Sequence, residues 1–75
     1  MRWQDHIVSD PETLHGAPRF KGTRIPVSLV LENLAAGTAP EELHQQWPTL
    51  PADAIPVALA YAADLARDRI VPISA

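Results

Sequence analysis

The spacing of apolar residues predicts a first helix beginning near Pro26. The apolar positions of this segment recur at i, i+3, i+4 and i+7, the pattern of one buried helix face. They are Val27, Val30, Leu31 and Leu34. Pro26 fits the first turn, where its missing N–H does no harm. Gly37 follows the last apolar position and can adopt the positive φ that ends a helix.

A capping-box pattern from Thr38 to Glu41 predicts the start of a short second helix. In such a box the Thr38 hydroxyl accepts a hydrogen bond from the backbone N–H of Glu41, whose side chain reaches back to Thr38. Leu43 and Trp47 are four residues apart and share a face, which we expect to be buried. Pro48 then ends the helix.

The third predicted helix is the longest and the most apolar. It starts with Asp53 as its N-cap, which leaves Pro56 in the tolerated first turn. We expect one face of it to be buried, and this face carries Ile55, Leu59, Ala62 and Ala66. Residues 54–63 are apolar nearly all round, which is typical of a helix covered on more than one side. A second subunit is the expected cover.

Residues 1–25 precede these helices and predict a short β element. Two strands, within residues 4–8 and 19–25, are expected to form a hairpin or a ribbon shared between subunits. The sequence therefore predicts a mainly α fold, a small three-helix bundle of helix-turn-helix layout with a short N-terminal β-hairpin or ribbon. We expect residues 1–75 to form a single domain, with the bundle over residues 26–68 and a C-terminal tail over 69–75.

The small size of the chain favours a homodimer. A chain of 75 residues buries only about 60% of its unfolded surface, so it is marginally stable alone. The sequence contains no cysteine, which excludes disulfides and thiolate metal sites. We expect Trp3, Val57 and Tyr61 at the dimer interface. The histidines share no metal-ligand spacing, so we expect neither a metal nor another cofactor.

Charge is distributed unevenly along the chain. The net charge is −3 and the pI about 5.4, which argues against bulk electrostatic binding to nucleic acid. No acidic residue lies between Glu12 and Glu32, and this interval holds three of the six Lys and Arg residues. If DNA is bound, we expect the contacts from this turn-rich segment. Its candidate DNA-binding residues are Arg19, Lys21, Thr23 and Arg24.

Two other interpretations of the segment and its fold are disfavoured by residue order and type. In a Walker loop Lys precedes Ser or Thr directly and opens a helix, whereas Gly22 separates Lys21 from Thr23 here. A DNA-reading third helix would offer Arg, Lys, Asn or Gln in its first turns. This one begins with an acidic cap and apolar residues, so we expect no base reading from it.

The segment around the basic residues resembles a known family. His15-Gly16, Pro18 and the run Lys21–Val27 (Lys-Gly-Thr-Arg-Ile-Pro-Val) are similar to the signature of the family called domain of unknown function 433, and the likeness extends over about residues 5–66. The resemblance implies a prokaryotic protein with an N-terminal hairpin and a homeodomain-like helix-turn-helix bundle. It also implies an antitoxin, commonly encoded beside a PIN-like ribonuclease toxin.

The resemblance thus implies a non-enzymatic binding protein, and no arrangement for nucleophilic catalysis can be nominated from the sequence. Alternatives are a DNA-binding transcriptional regulator acting at an operator and a structural dimerisation module. We favour the C-terminal stretch for toxin contact and the basic segment for architecture or DNA. The residues expected to bind the partner are Arg67, Arg69, Ile70, Val71 and Ile73. Because the first residues lack an apolar signal-peptide core, we expect a cytoplasmic protein.

Overall fold

The computed structural model describes residues 2–68 and confirms the mainly α fold. Within this range a two-stranded hairpin precedes three helices. The elements are β1 (Ile7–Val8), β2 (Arg19–Phe20), α1 (Val27–Ala35), α2 (Pro40–Gln46) and α3 (Ala54–Asp68), with 3₁₀ turns at Trp3–Asp5 and Leu14–Gly16. The predicted partner-binding residues Arg69, Ile70, Val71 and Ile73 lie outside the described residues.

The hairpin is short and forms within one chain. β1 and β2 pair antiparallel, with Ile7 opposite Phe20 and Val8 opposite Arg19. Ile7 and Phe20 face the core and are buried, at 8% and 1% exposure. Opposed apolar side chains on one face fix the register, because a slip of either strand by one residue would turn its apolar side chain toward solvent. The N-terminal end of the expected first strand is a 3₁₀ turn instead.

Helix α1 follows the predicted pattern closely. Val27 and Val30 are buried, and Pro26 is the N-cap rather than a first-turn residue. At the other end Gly37 has a φ of +92°. The N–H of Gly37 donates to the carbonyl of Leu34 at 3.1 Å, and the N–H of Thr38 to that of Asn33 at 2.9 Å. This pair of hydrogen bonds defines a Schellman motif and confirms Gly37 as the end of the helix.

The predicted capping box at the start of α2 is wrong. Ala39 is the N-cap, and no side chain makes a capping hydrogen bond. The reason is that Thr38 belongs to the end of α1, where its hydroxyl lies 3.3 Å from Oδ1 of Asn33. Pro40 occupies the first helical position, so one of the N–H groups that need an acceptor is missing. Leu43 is fully buried as expected.

Helix α3 begins where predicted but buries a different face. Asp53 is the N-cap, since its carbonyl accepts the N–H of Val57 at 3.1 Å. The buried residues are Ala54, Val57 and Ala58, whereas Leu59 is 52% exposed. Small Ala side chains let α3 approach the core closely, and the larger Leu59 lies outside. The prediction that Leu59 and Ala66 are buried is therefore wrong, since Ala66 is also exposed.

The N-terminal turn packs across α3. The Trp3 ring meets Tyr61 edge to face, with centroids 5.0 Å apart and planes at 83°. The indole N–H of Trp3 also donates to Oδ2 of Asp64 at 2.5 Å. Nδ1 of His6 lies 3.5 Å from Oδ2 of Asp53 at the start of the same helix. Trp3 is thus half-buried against α3 of its own chain.

Candidate functional site

The basic residues lie on β2 and on the closed turn that joins it to α1, and we call residues 19–25 the basic turn. The N–H of Thr23 donates to the carbonyl of Phe20 at 3.0 Å. Gly22 has a φ of +80°, as the third residue of a type II turn requires. Its predecessor Lys21 is exposed at the tip. The sequence folds this way because glycine adopts positive φ without a steric penalty.

The Thr23 side chain fixes the shape of the basic turn. Its hydroxyl donates to the Phe20 carbonyl at 2.8 Å and accepts the N–H of Ile25 at 3.0 Å. The N–H of Phe20 donates to the Ile25 carbonyl at 3.1 Å. The single hydroxyl hydrogen is therefore already used. The Thr23 side chain thus positions the turn, and while these bonds are kept it has no hydrogen to donate to a phosphate. Contact between Thr23 and DNA stays a prediction.

Arg19 is half-buried beside the turn, whereas Lys21 and Arg24 are exposed. Nη1 of Arg19 donates to the Thr23 carbonyl at 3.0 Å. Its Nε is buried and has no hydrogen-bond acceptor among residues 2–68. The Arg19 cation is thus partly removed from water, and one carbonyl among residues 2–68 compensates it, an arrangement that favours the approach of an anion.

A cleft of about 470 Å³ opens beside the basic turn. Two guanidinium groups and several hydroxyls line it, and no carboxylate does within the described part of the chain. The lining residues are Thr13, Arg19, Gly22, Thr23, Arg24 and Thr49. Thr13 and Thr49 come from the β1–β2 and α2–α3 connections. Sequence reasoning missed both, because no local pattern brings these connections together.

The connection that carries Thr13 has an uncommon backbone. Leu14 and His15 both have positive φ, at 53° and 54°, which is rare for residues other than glycine. The N–H of Thr13 donates to the Asp10 carbonyl at 3.0 Å. The Ser9 hydroxyl donates to the Gly16 carbonyl at 2.5 Å. These bonds lie within the connection and close it on itself, with Thr13 at the cleft.

The cations of the basic turn differ from Arg2 and Arg67, which each pair with a carboxylate. Arg2 pairs with Asp5 at 3.5 Å, and Arg67 pairs with Asp64. In the part of the chain that the structure describes, none of the three basic-turn cations has a carboxylate partner. In a chain of net charge −3, this leaves a local positive surface with unmatched charge.

The other predicted site residues lie elsewhere. Arg67 is exposed on α3, remote in sequence from the basic turn, and its charge is matched by Asp64. Trp3 and Tyr61 are half-buried against each other. Val57 is 0% exposed in the core, so its assignment to a dimer interface is wrong. Among residues 2–68, no three His, Asp or Glu side chains come together as metal ligands would.

The exposed side of the first turns of α3 carries apolar residues, Pro56 and Leu59. A helix that reads base edges inserts the side chains of its first turns into the major groove. Here Ala54, Val57 and Ala58 are all fully buried, in one core with residues of the hairpin and α1. The exposed Pro56 and Leu59 have no side-chain hydrogen-bond donor or acceptor, so these turns lack the polar side chains with which a recognition helix contacts base edges.

Fold and site together define a small, mainly α-helical protein that presents a pre-organised cationic turn. The chain belongs to the family described as "Protein of unknown function (DUF433)", whose model matches residues 7–62. This confirms the resemblance found in the sequence. An uncharacterized protein of Sinorhizobium fredii (strain NBRC 101917 / NGR234), y4eO, is 41% identical over 56 residues. The match covers 75% of this chain and 25% of y4eO, so the chain spans about a quarter of that relative's length.

No solved structure matches the chain. None of the helices described for it has the length and apolar character that crossing a membrane requires.

Proposed function

We propose that the protein is an antitoxin-like binding protein that neutralises a PIN-like ribonuclease of a type II toxin–antitoxin pair. The observation that carries the proposal is the basic turn, where three cations lie together without a carboxylate partner among the described residues. Membership of the DUF433 family supports it, through the antitoxin role that the family resemblance implies. The proposed role is binding, and it requires no catalytic group in this chain.

The chemistry of the partner explains why a cationic turn would inhibit it. A PIN-like nuclease gathers carboxylates around a divalent metal ion in a groove that admits RNA. An exposed Lys21 or Arg24 entering that groove would form charge-assisted hydrogen bonds with those carboxylates and displace the metal. The basic turn is already closed by its own hydrogen bonds. Docking it therefore orders few groups, which preserves affinity.

The C-terminal stretch remains a second proposed contact. Arg67 is matched by Asp64, and this favours the basic turn over Arg67 as the principal cationic contact. The remaining residues of the stretch, from Arg69 to Ile73, pair a cation with apolar side chains that could anchor in a partner. Truncation after Asp68 separates the two contacts, because it removes the tail and leaves the turn intact.

The experiment is inhibition of the ribonuclease encoded next to the protein, measured as cleavage of a labelled RNA. We expect inhibition at equimolar ratio and a loss of about tenfold or more in inhibitory affinity for Arg24→Ala, as removal of a charged hydrogen bond predicts. The matched control is Arg2→Ala, which removes an exposed arginine that pairs with Asp5 and does not line the cleft. Equal inhibition by both variants would refute the turn as the contact.

A DNA-binding regulator is the second candidate, favoured by the same exposed Lys21 and Arg24. Because the first turns of α3 expose apolar residues, we expect contacts to phosphates, so affinity would fall steeply with salt and depend little on sequence. Removal of Lys21 and Arg24 together should abolish such binding. DNA binding that survives this change would show that another surface carries it.

The proposal also includes a location and an assembly. A toxin that cleaves cellular RNA acts in the cytoplasm, and its antitoxin must be there with it. We further propose a homodimer, with the exposed face of α3 around Leu59 in place of Val57 as a contact. A second copy could also cover what remains exposed of Trp3 and Tyr61, which are half-buried against each other.

A further inference from the structure

The cleft beside the basic turn has the donors of an oxyanion site. Arg19 and Arg24 supply guanidinium groups, which bind phosphate or carboxylate through paired N–H donors. Within the described residues, the Thr23 carbonyl is the one acceptor found for Arg19, and its buried Nε has none. Four of the five N–H donors of this guanidinium are therefore without an acceptor from residues 2–68.

Two hydroxyls complete the lining from other directions. Thr13 and Thr49 both border the cleft, and neither side chain makes a hydrogen bond within the described part of the chain. The donors thus come from four positions along the chain: 13, 19, 24 and 49. A carboxylate presents two oxygens in one plane, whereas a phosphoryl group presents three in a pyramid. Donors converging from several elements suit the second shape.

We propose that this cleft binds the phosphoryl group of a small phosphorylated ligand. Its volume of about 470 Å³ falls in the range of small-molecule pockets. Its lining contains no aromatic or large aliphatic side chain, so it offers nothing on which a base could stack. The phosphoryl group is therefore the part that is recognised, and the organic part of the ligand extends into solvent.

This inference goes beyond the proposed nuclease inhibition and is tested without a nuclease. The isolated protein is titrated with inorganic phosphate, a 5′-mononucleotide and acetate at constant ionic strength, and amide chemical shifts are followed by NMR. We expect saturable shifts of the Gly22, Thr23 and Arg24 amides with phosphate and with the mononucleotide, at affinities within about threefold of each other. Acetate should bind at least about tenfold more weakly.

Variants assign the binding to the cleft. Arg24→Ala and Thr49→Val alter exposed residues, so we expect both to fold, and each should weaken phosphate binding, Arg24→Ala by about tenfold. Arg2→Ala is the matched control and should leave the affinity unchanged. The proposal is overturned by the absence of saturation, by acetate binding as tightly as phosphate, or by an affinity that Arg24→Ala and Thr49→Val leave unchanged. A mononucleotide that binds far more tightly than phosphate would refute recognition of the phosphoryl group alone.

Discussion

Replacing Thr23 by Val tests the claim that one hydroxyl holds the basic turn in shape. Val has nearly the same shape as Thr but can neither donate nor accept a hydrogen bond. The change removes the bond to the Phe20 carbonyl at 2.8 Å and the bond from the Ile25 N–H at 3.0 Å. The backbone bond from the Thr23 N–H to Phe20 does not depend on the side chain and can persist.

The expected loss follows from these two bonds. A typical intramolecular hydrogen bond contributes about 1 kcal/mol net, and a buried donor left unsatisfied costs about 1–3 kcal/mol. Ile25 is only 7% exposed, so water reaches its N–H poorly once the hydroxyl is gone. We expect Thr23→Val to lower the free energy of unfolding by about 2–3 kcal/mol. The whole protein has only roughly 4–11 kcal/mol at this size.

Thermal unfolding followed by circular dichroism measures this loss. A change of about 2 kcal/mol lowers the Tm of a domain of this size by about 8–16 °C. Thr23→Ser is the matched control, since it keeps the hydroxyl and removes only a methyl group, and its Tm should stay close to that of the parent protein. If Val is tolerated as well as Ser, the hydroxyl does not hold the turn and our account of its rigidity is wrong.

Three further changes test the fold and the assembly. Gly37→Ala should lower the free energy of unfolding by about 1 kcal/mol, because an alanine is strained at a φ of +92°. The added Cβ would meet nothing within 4 Å, so the loss comes from the backbone, and an unchanged urea midpoint would contradict the Schellman ending. Trp3→Phe should lower the free energy of unfolding by about 1 kcal/mol, because the hydrogen bond to Asp64 is lost. An undiminished urea midpoint would contradict the packing of Trp3 on α3. Leu59→Glu should convert the proposed dimer to a monomer by light scattering without unfolding it, and a monomeric parent protein at micromolar concentration would refute the dimer.

Local sequence patterns predicted α1 because no residue in it is claimed by two different motifs. The apolar residues Val27 and Val30 recur with one period, and Gly37 has no alternative role. At Thr38, two local motifs compete for the same residue. The Schellman ending of α1 uses its backbone N–H, and the capping box that the sequence suggested does not form. Residue pattern alone cannot decide between them, because both are favourable locally.

The face of α3 could not be predicted from hydrophobicity. Residues 54–63 are nearly all apolar, so any face of this helix could be the buried one by hydrophobicity alone. Leu59 was predicted to be buried because its side chain is large. The face that is buried in the structure carries Ala54 and Ala58, whose small side chains let the helix approach its neighbours closely. This close approach is a property of the packed fold. The charges of the basic turn were visible in the sequence. Its cleft was not, because Thr13 and Thr49 reach it only through tertiary contacts.

The central claim is that the basic turn neutralises a partner nuclease. The most direct measurement is RNA cleavage by the PIN-like ribonuclease encoded beside the protein, with the parent protein and with the Lys21→Ala, Arg24→Ala double variant. We predict that the parent protein abolishes cleavage at equimolar ratio and that the double variant, folded to the same Tm, leaves cleavage largely intact. Full inhibition by the double variant, or no inhibition by the parent protein, would contradict the account.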